Sequence, residues 1–344
     1  MIFFPVKRSS WLWTLIVGVM MSNYYPDIKR VCIYGTGGVG GYFGGRIAEA
    51  ICNLPSKGFE IYFIARGEHL KAINQRGIVV KTPERTISAK PYLATSDIGE
   101  IPSPDLILLC VKSYDLKQAV ASIKPVIDNY SIIIPLLNGV DISERIRTIL
   151  DRSIVLPACL YLGTHIESPG VINQNGGSGV IIFGPDRKIP EYSGENVKIF
   201  FEETGIKFEW HNDPLLPIWE KYIFIAAFGI VSAFTGNTLG AIMESDEHRN
   251  MVRGIMEEIY AISRMKSVDL PKDIIDKSMN KAYNFPYETR TSYQRDIESK
   301  GSFNEGDLYG GTIIREGRAL GISTPITESV YRQIMGLDRS VDSS

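Results

Sequence analysis

Six consecutive residues, Gly35-Thr36-Gly37-Gly38-Val39-Gly40, spell a GxGxxG turn. Glycines at this spacing suit a phosphate cradle. Gly35 permits a tight turn, Gly37 lets the backbone approach a pyrophosphate, and Gly40 lets a helix pack closely on a strand. The helix that follows offers free N–H donors and partial positive charge. Glycine-rich turns are common, but this one follows the β-rich run 30–34 and precedes a helix-compatible stretch, so a dinucleotide site is expected. NAD-binding folds commonly place a carboxylate about 20 residues further on, at the end of the next strand, to bind ribose hydroxyls. Here that position reads Ile64-Ala65-Arg66-Gly67. A guanidinium there suits the additional phosphate of NADPH. Lys112 and Asn138 each follow a buried apolar run, at the strand ends where ligands bind in parallel sheets. Lys112 can reach a phosphate or simply be solvated. Asn138-Gly139 is either a turn or a contact to ribose or substrate.

These residues need a scaffold, and the apolar runs supply one. Residues 30–34, 60–65, 105–111, 131–137 and 154–159 read as strands, with helical segments between several of them. Alternation of this kind predicts α/β architecture: an N-terminal Rossmann, doubly wound parallel sheet. The pattern at 170–172 and 179–183, around a Gly/Asn-rich stretch, predicts a hairpin. From Pro214 the strand signals stop and long helical patterns begin. The expected division is a dinucleotide-binding domain over 28–212 and an all-helical substrate domain over 213–337.

Bulk properties set limits on function. The 344 residues carry a net charge of −2, which gives no basic field for nucleic acid. The cysteines Cys32, Cys52, Cys110 and Cys159 form no CxxC pair, and reduced thiols in a cytoplasmic protein are expected. The four histidines are scattered without metal spacing, so no metal is expected. Near the N-terminus, Lys7 and Arg8 precede an apolar run at 11–21. Eleven residues fall short of the about 20 a bilayer span requires. Met20 and Met21 lie just before the fold, so residues 1–21 read as a leader or as a start assigned too far upstream. No membrane partner is expected.

Taken in order, the motifs resemble those of the ketopantoate reductase family. They are the glycine loop, Ala65-Arg66-Gly67, Lys112-Ser113-Tyr114, Asn138-Gly139, Trp219-Glu220-Lys221, Thr291-Ser292 with Asp296, and Asn304-Glu305 with Asp307 and Gly310. The resemblance runs from Arg30 to about Ile334. It implies NADPH-dependent reduction of 2-dehydropantoate to pantoate, on the route to coenzyme A, in a cleft between a Rossmann domain and a helical domain. It implies that Arg66 and Lys112 favour NADPH at its 2′-phosphate end and that Asn138 lies near the nicotinamide ribose and the substrate. Lys221 would be the catalytic lysine, Glu305 the active-site glutamate, and Thr291 or Ser292 the substrate-binding hydroxyl. A homodimer is compatible with it.

Two departures from the family pattern bear on the substrate. Asparagines usually stand four and eight residues after the catalytic lysine, where this chain has Ile225 and Gly229. The spacing from Asp296 to Glu305 is one residue longer than usual. The chemistry also has its own logic in these residues. Reduction of a 2-keto acid builds negative charge on the carbonyl oxygen, which a lysine ammonium can stabilise and protonate. Lys221, flanked by Ile218, Trp219, Tyr222 and Ile225, is the candidate. The same flanks suit a surface lysine lying along apolar residues. Glu305 is expected to pair with Lys221; Tyr222, Tyr293 and Tyr309 are alternative donors that read first as packing residues with wet hydroxyls. Alternatives are a reductase of a more apolar 2-keto acid and a non-catalytic NADPH-binding redox sensor.

Overall fold

The computed structural model describes residues 25–299 and 304–336. The leader assignment at 1–21 and part of the Asp296–Glu305 spacing fall outside them. The first half begins with β1 (Arg30–Tyr34), α1 (Gly38–Cys52), β2 (Glu60–Ile64) and α2 (Gly67–Arg76). Then come β3 (Ile78–Lys81), β4 (Thr86–Ala89), β5 (Leu93–Thr95), β6 (Leu106–Leu109), α3 (Leu116–Ile123), β7 (Ile132–Pro135), α4 (Ile142–Arg147) and β8 (Ile154–Val155). Six of these strands form one sheet in the order β5-β2-β1-β6-β7-β8. Every pairing in it is parallel. Strands β6 and β7 are buried at every residue, which is why their sequences are continuous apolar runs. The direction of strand order reverses between β1 and β6. That switch point opens a crevice beyond the carboxyl ends of the strands.

A second sheet lies beside the first and contains β9 (Ala158–Ser168) and β10 (Val171–Phe183), followed by α5 (Glu195–Glu203) and β11 (Phe208–Trp210). Its order is β11-β10-β3-β4, with β9 antiparallel on β10. This corrects the expected hairpin. The chain turns at Pro169-Gly170, where Gly170 has φ +78°. The Gly/Asn-rich stretch lies within β10 and is absorbed as bulges around Gly176. The β3–β4 hairpin was not expected, because its strands are four residues each and only alternately buried.

The second half is helical: α6 (Leu215–Thr235), α7 (Leu239–Glu244), α8 (Asp246–Met265), α9 (Ile274–Lys281), α10 (Ser292–Glu298), a π-helical turn at Asp307–Gly311, α11 (Thr312–Leu320) and α12 (Pro325–Ile334). Helix α6 is apolar around most of its circumference because α8, α9, α10 and α12 surround it. Its length and composition would also suit a bilayer span, but most of it is buried inside the protein. Gly236, at φ +72°, ends it and donates its N–H to the Ser232 carbonyl at 2.9 Å. Replacing a fully buried ring such as Phe228 by Ala would cost about 3–5 kcal/mol.

Candidate active site

The glycine loop occupies the switch point. A Cβ on Gly40 would lie 1.9 Å from the Gly35 carbonyl oxygen, and one on Gly35 would lie 2.8 Å from that of Cys110. These two glycines are fixed by the packing of the loop on β1 and β6. Gly37 differs: a Cβ there would meet nothing within 4 Å. Its missing side chain leaves open space on the cleft side, as close backbone approach by a ligand requires. Helix α1 starts at Gly38 with no acidic residue in its first turn. Its free N–H groups and positive end therefore suit a pyrophosphate. Thr36 is buried beneath the loop, and Val39 is half-buried at the cleft wall. Arg66 stands immediately before α2, just beyond the strand paired with β1. It is exposed and makes no ion pair among the described residues, since Glu68 is held by Lys71 at 2.7 Å. The residues present thus fit an NADPH molecule lying along the sheet edge.

From the loop a cleft of about 590 Å³ extends to the helical half. Its far wall carries Lys221, Ser292, Arg295 and Glu305. Lys221 projects from the second turn of α6 because Pro214 and Asp213 fix where that helix begins. Its ammonium donates to Asn138 Oδ1 and to the Leu160 carbonyl, both at 2.7 Å. Among the described residues it has no carboxylate partner. An ammonium has three donors, so one is left for a ligand in the cleft. Burial chiefly lowers the Lys221 proton affinity, opposed by Cys159 and aided by Lys281, to about 8.

The expected Glu305–Lys221 pair is not formed. Glu305, 5% exposed, accepts instead from Lys112 Nζ at 2.9 Å. Lys112 also donates to Asp296 at 3.0 Å. Burial pulls the Lys112 ammonium down, but Glu305 and Asp296 outweigh it and hold it above the ordinary lysine value. The reason is topological. Lys112 leaves β6 toward the helical half and meets Glu305 before the latter can reach α6.

Ser292 and Thr291 separate by one residue and by role. The Thr291 hydroxyl caps α10 by accepting from the Gln294 N–H and is bonded to Ser232 at 2.7 Å. Ser292 lines the cleft close to the Tyr309 hydroxyl. Tyr309 in turn lies 3.5 Å from Asn138 Nδ2. The expectation of wet tyrosine hydroxyls is therefore corrected. Tyr309 links two cleft residues, Tyr222 faces the carbonyls of Leu308 and Tyr309, and the buried Tyr293 hydroxyl has no partner among the described residues. Arg295 was missed by sequence reasoning. Its place one turn after Ser292 on α10 was the available signal. Ile225 packs partly buried against the helical core, and Gly229 lies against Tyr293. Neither restores an amide to that face of α6.

Strand β9 ties the two ends together. A Cβ on Gly38 would lie 2.8 Å from Thr164 Oγ1, and four residues earlier the Leu160 carbonyl holds Lys221.

Residues 31–188 match the family described as ketopantoate reductase PanE/ApbA, and residues 215–338 match its C-terminal part. The chain belongs to the ketopantoate reductase family and is an NADPH-dependent oxidoreductase. It is 28% identical over 313 residues to the uncharacterized oxidoreductase YkpB of Bacillus subtilis, covering 89% of this chain and 97% of that one. It is 25% identical to the 2-dehydropantoate 2-reductase of Mesorhizobium japonicum, covering 90% and 97%. Among solved structures, a PanE/ApbA family ketopantoate reductase from Ralstonia eutropha superposes with TM-score 0.79 at 29% identity, covering 90% and 98%.

Proposed function

We propose that this protein reduces a small 2-keto acid, with 2-dehydropantoate the first candidate, and that Lys221 is its proton donor. The observation that carries this reading is the Lys221 ammonium. It is held by two neutral acceptors, has no carboxylate partner among the described residues, and faces the same cleft as the glycine loop. NADPH, when bound, supplies the hydride to the keto carbon. The carbonyl oxygen then takes up the electron pair, and Lys221 stabilises that charge and delivers one proton, giving the 2-hydroxy acid. Asn138 orients Lys221 through its carbonyl oxygen. Ser292 offers a hydroxyl to the substrate. Arg66 would receive the 2′-phosphate, and Gly35, Gly37 and Gly40 would admit the pyrophosphate. Glu305 positions Lys112 at the edge of the cleft.

A second reading concerns substrate size. After Lys221, helix α6 carries no amide through residue 231, and the half-buried Ile225 stands one turn on. That face suits a keto acid with a more apolar side chain. The test is loss of NADPH absorbance with 2-dehydropantoate and with a panel of 2-keto acids of increasing apolar size. Turnover with none of them overturns the 2-keto acid reading.

A further inference from the structure

Buried lysines are ordinarily matched by a carboxylate, because an unpaired ammonium is costly away from water. Lys221 instead shares an aromatic ring with a second lysine. Its ammonium lies 5.6 Å from the centre of the Tyr161 ring. The ammonium of Lys281, the last residue of α9, lies 5.2 Å from the same ring and 5.2 Å from that of Phe224. Phe224 is one turn beyond Lys221 on α6. Like Lys221, the half-buried Lys281 makes no ion pair among the described residues.

We propose that Lys281 is a positioning residue that acts on Lys221 through space, keeping the active-site ammonium ready to give up its proton. The proposal rests on the reading of Lys221 as proton donor. The two aromatic faces favour the positive charge of Lys281, and so does the carbonyl end of α9, where it sits in the last turn. Lys221, half-buried, shares only the Tyr161 ring and is otherwise held by an amide oxygen and a backbone carbonyl. A second positive charge beside it disfavours its charged form. The other groups bearing on Lys221 act differently. Cys159 on β9 opposes Lys281, and its own thiol is pushed up to about 11 by burial. Tyr161, also on β9, is raised to about 12 by burial. Tyr309 reaches Lys221 only by way of Asn138, and Glu220 bears on Cys159 and Tyr161.

The test reads Lys221 itself. The full chain is labelled with acetic anhydride across pH 6–10, and acetylation of Lys221 is followed by peptide mass spectrometry in wild type, Lys281→Gln and Lys281→Arg. Lys281→Gln should move the labelling midpoint upward by roughly half to one pH unit and slow labelling at pH 7 by about three- to tenfold. Lys281→Arg keeps the charge and should leave the midpoint at the wild-type value. The pH above which kcat/KM declines should move with the labelling midpoint. An unmoved midpoint in a folded Lys281→Gln overturns the proposal, as does a midpoint equally displaced in Lys281→Arg. If labelling moves as stated but Lys221→Ala keeps its turnover, the reading of Lys221 as proton donor fails and the function assigned to Lys281 falls with it.

Discussion

Lys221 and Asn138 meet at 2.7 Å, joining the first helix of the helical half to the end of β7 across the cleft. The contact aligns the one lysine donor left over for a ligand. Lys221→Ala should cut kcat by roughly 10²-fold or more, the scale of losing an acid or oxyanion donor. NADPH affinity, measured by fluorescence titration, should barely change. Lys221→Arg moves the donor and is a poorer acid, so it should recover little. Near-normal turnover in Lys221→Ala would place the acid elsewhere.

The pH profile has a definite sign. With Lys221 as the proposed proton donor, kcat/KM should be level in the acidic arm and fall as pH rises through about 8. Stability follows the opposite course. The folded-state value lies below the ordinary 10.5, so between the two the unfolded chain binds more protons. The contribution of Lys221 is a fixed penalty below about 8, relieved as pH rises through that window. Lys221→Met should abolish this gain in urea titrations at pH 7.5 and 9.5, and a gain that survives would refute it.

The glycines of the loop should separate by mechanism. Gly37→Ala has free space and should fold with a near-normal Tm but bind NADPH poorly. Gly40→Ala drives a methyl into the Gly35 carbonyl and should lose stability itself. Equal effects on Tm would show that Gly37 has no ligand-facing role.

Cofactor choice should reside in Arg66. Arg66→Asp replaces a phosphate partner with a repelling charge and should weaken NADPH binding far more than NADH binding. Equal loss with both cofactors would remove Arg66 from the 2′-phosphate site.

Glu305 should couple to Lys112 rather than to Lys221. In a double-mutant cycle on stability, Lys112→Gln and Glu305→Gln should show a coupling of roughly 0.5–2 kcal/mol, modest because Lys112 is partly in water. The Lys221→Met and Glu305→Gln effects should add. The reverse pattern would restore the Glu305–Lys221 pair.

The parallel sheet and the glycine loop were legible because each rests on local chemistry: buried strands without polar residues, and glycines such as Gly35 and Gly40 packed too closely for a side chain. The start of α6 was legible at Pro214 for the same reason. Partner choice was not legible. Whether Glu305 reaches Lys112 or Lys221 depends on how two halves of the chain face each other, and neither residue carries that information locally. Thr291 and Ser292 are adjacent in sequence, yet only the helix start decides which becomes the cap and which faces the cleft. The β9–β10 turn was misplaced because glycines mark bulges as readily as turns. The pairing of Lys221 with Lys281 had no signal at all, since the two lie 60 positions apart.

One strand touches the glycine loop at Thr164 and holds the lysine through the Leu160 carbonyl. At about 3.3 Å per residue the interval between those contacts is roughly 13 Å. Strand β9 thereby serves as a gauge block: it sets how far the Lys221 ammonium stands from the glycine loop. A one-residue insertion between Leu160 and Thr164 would displace Lys221 relative to the glycine loop while leaving each half of the protein intact.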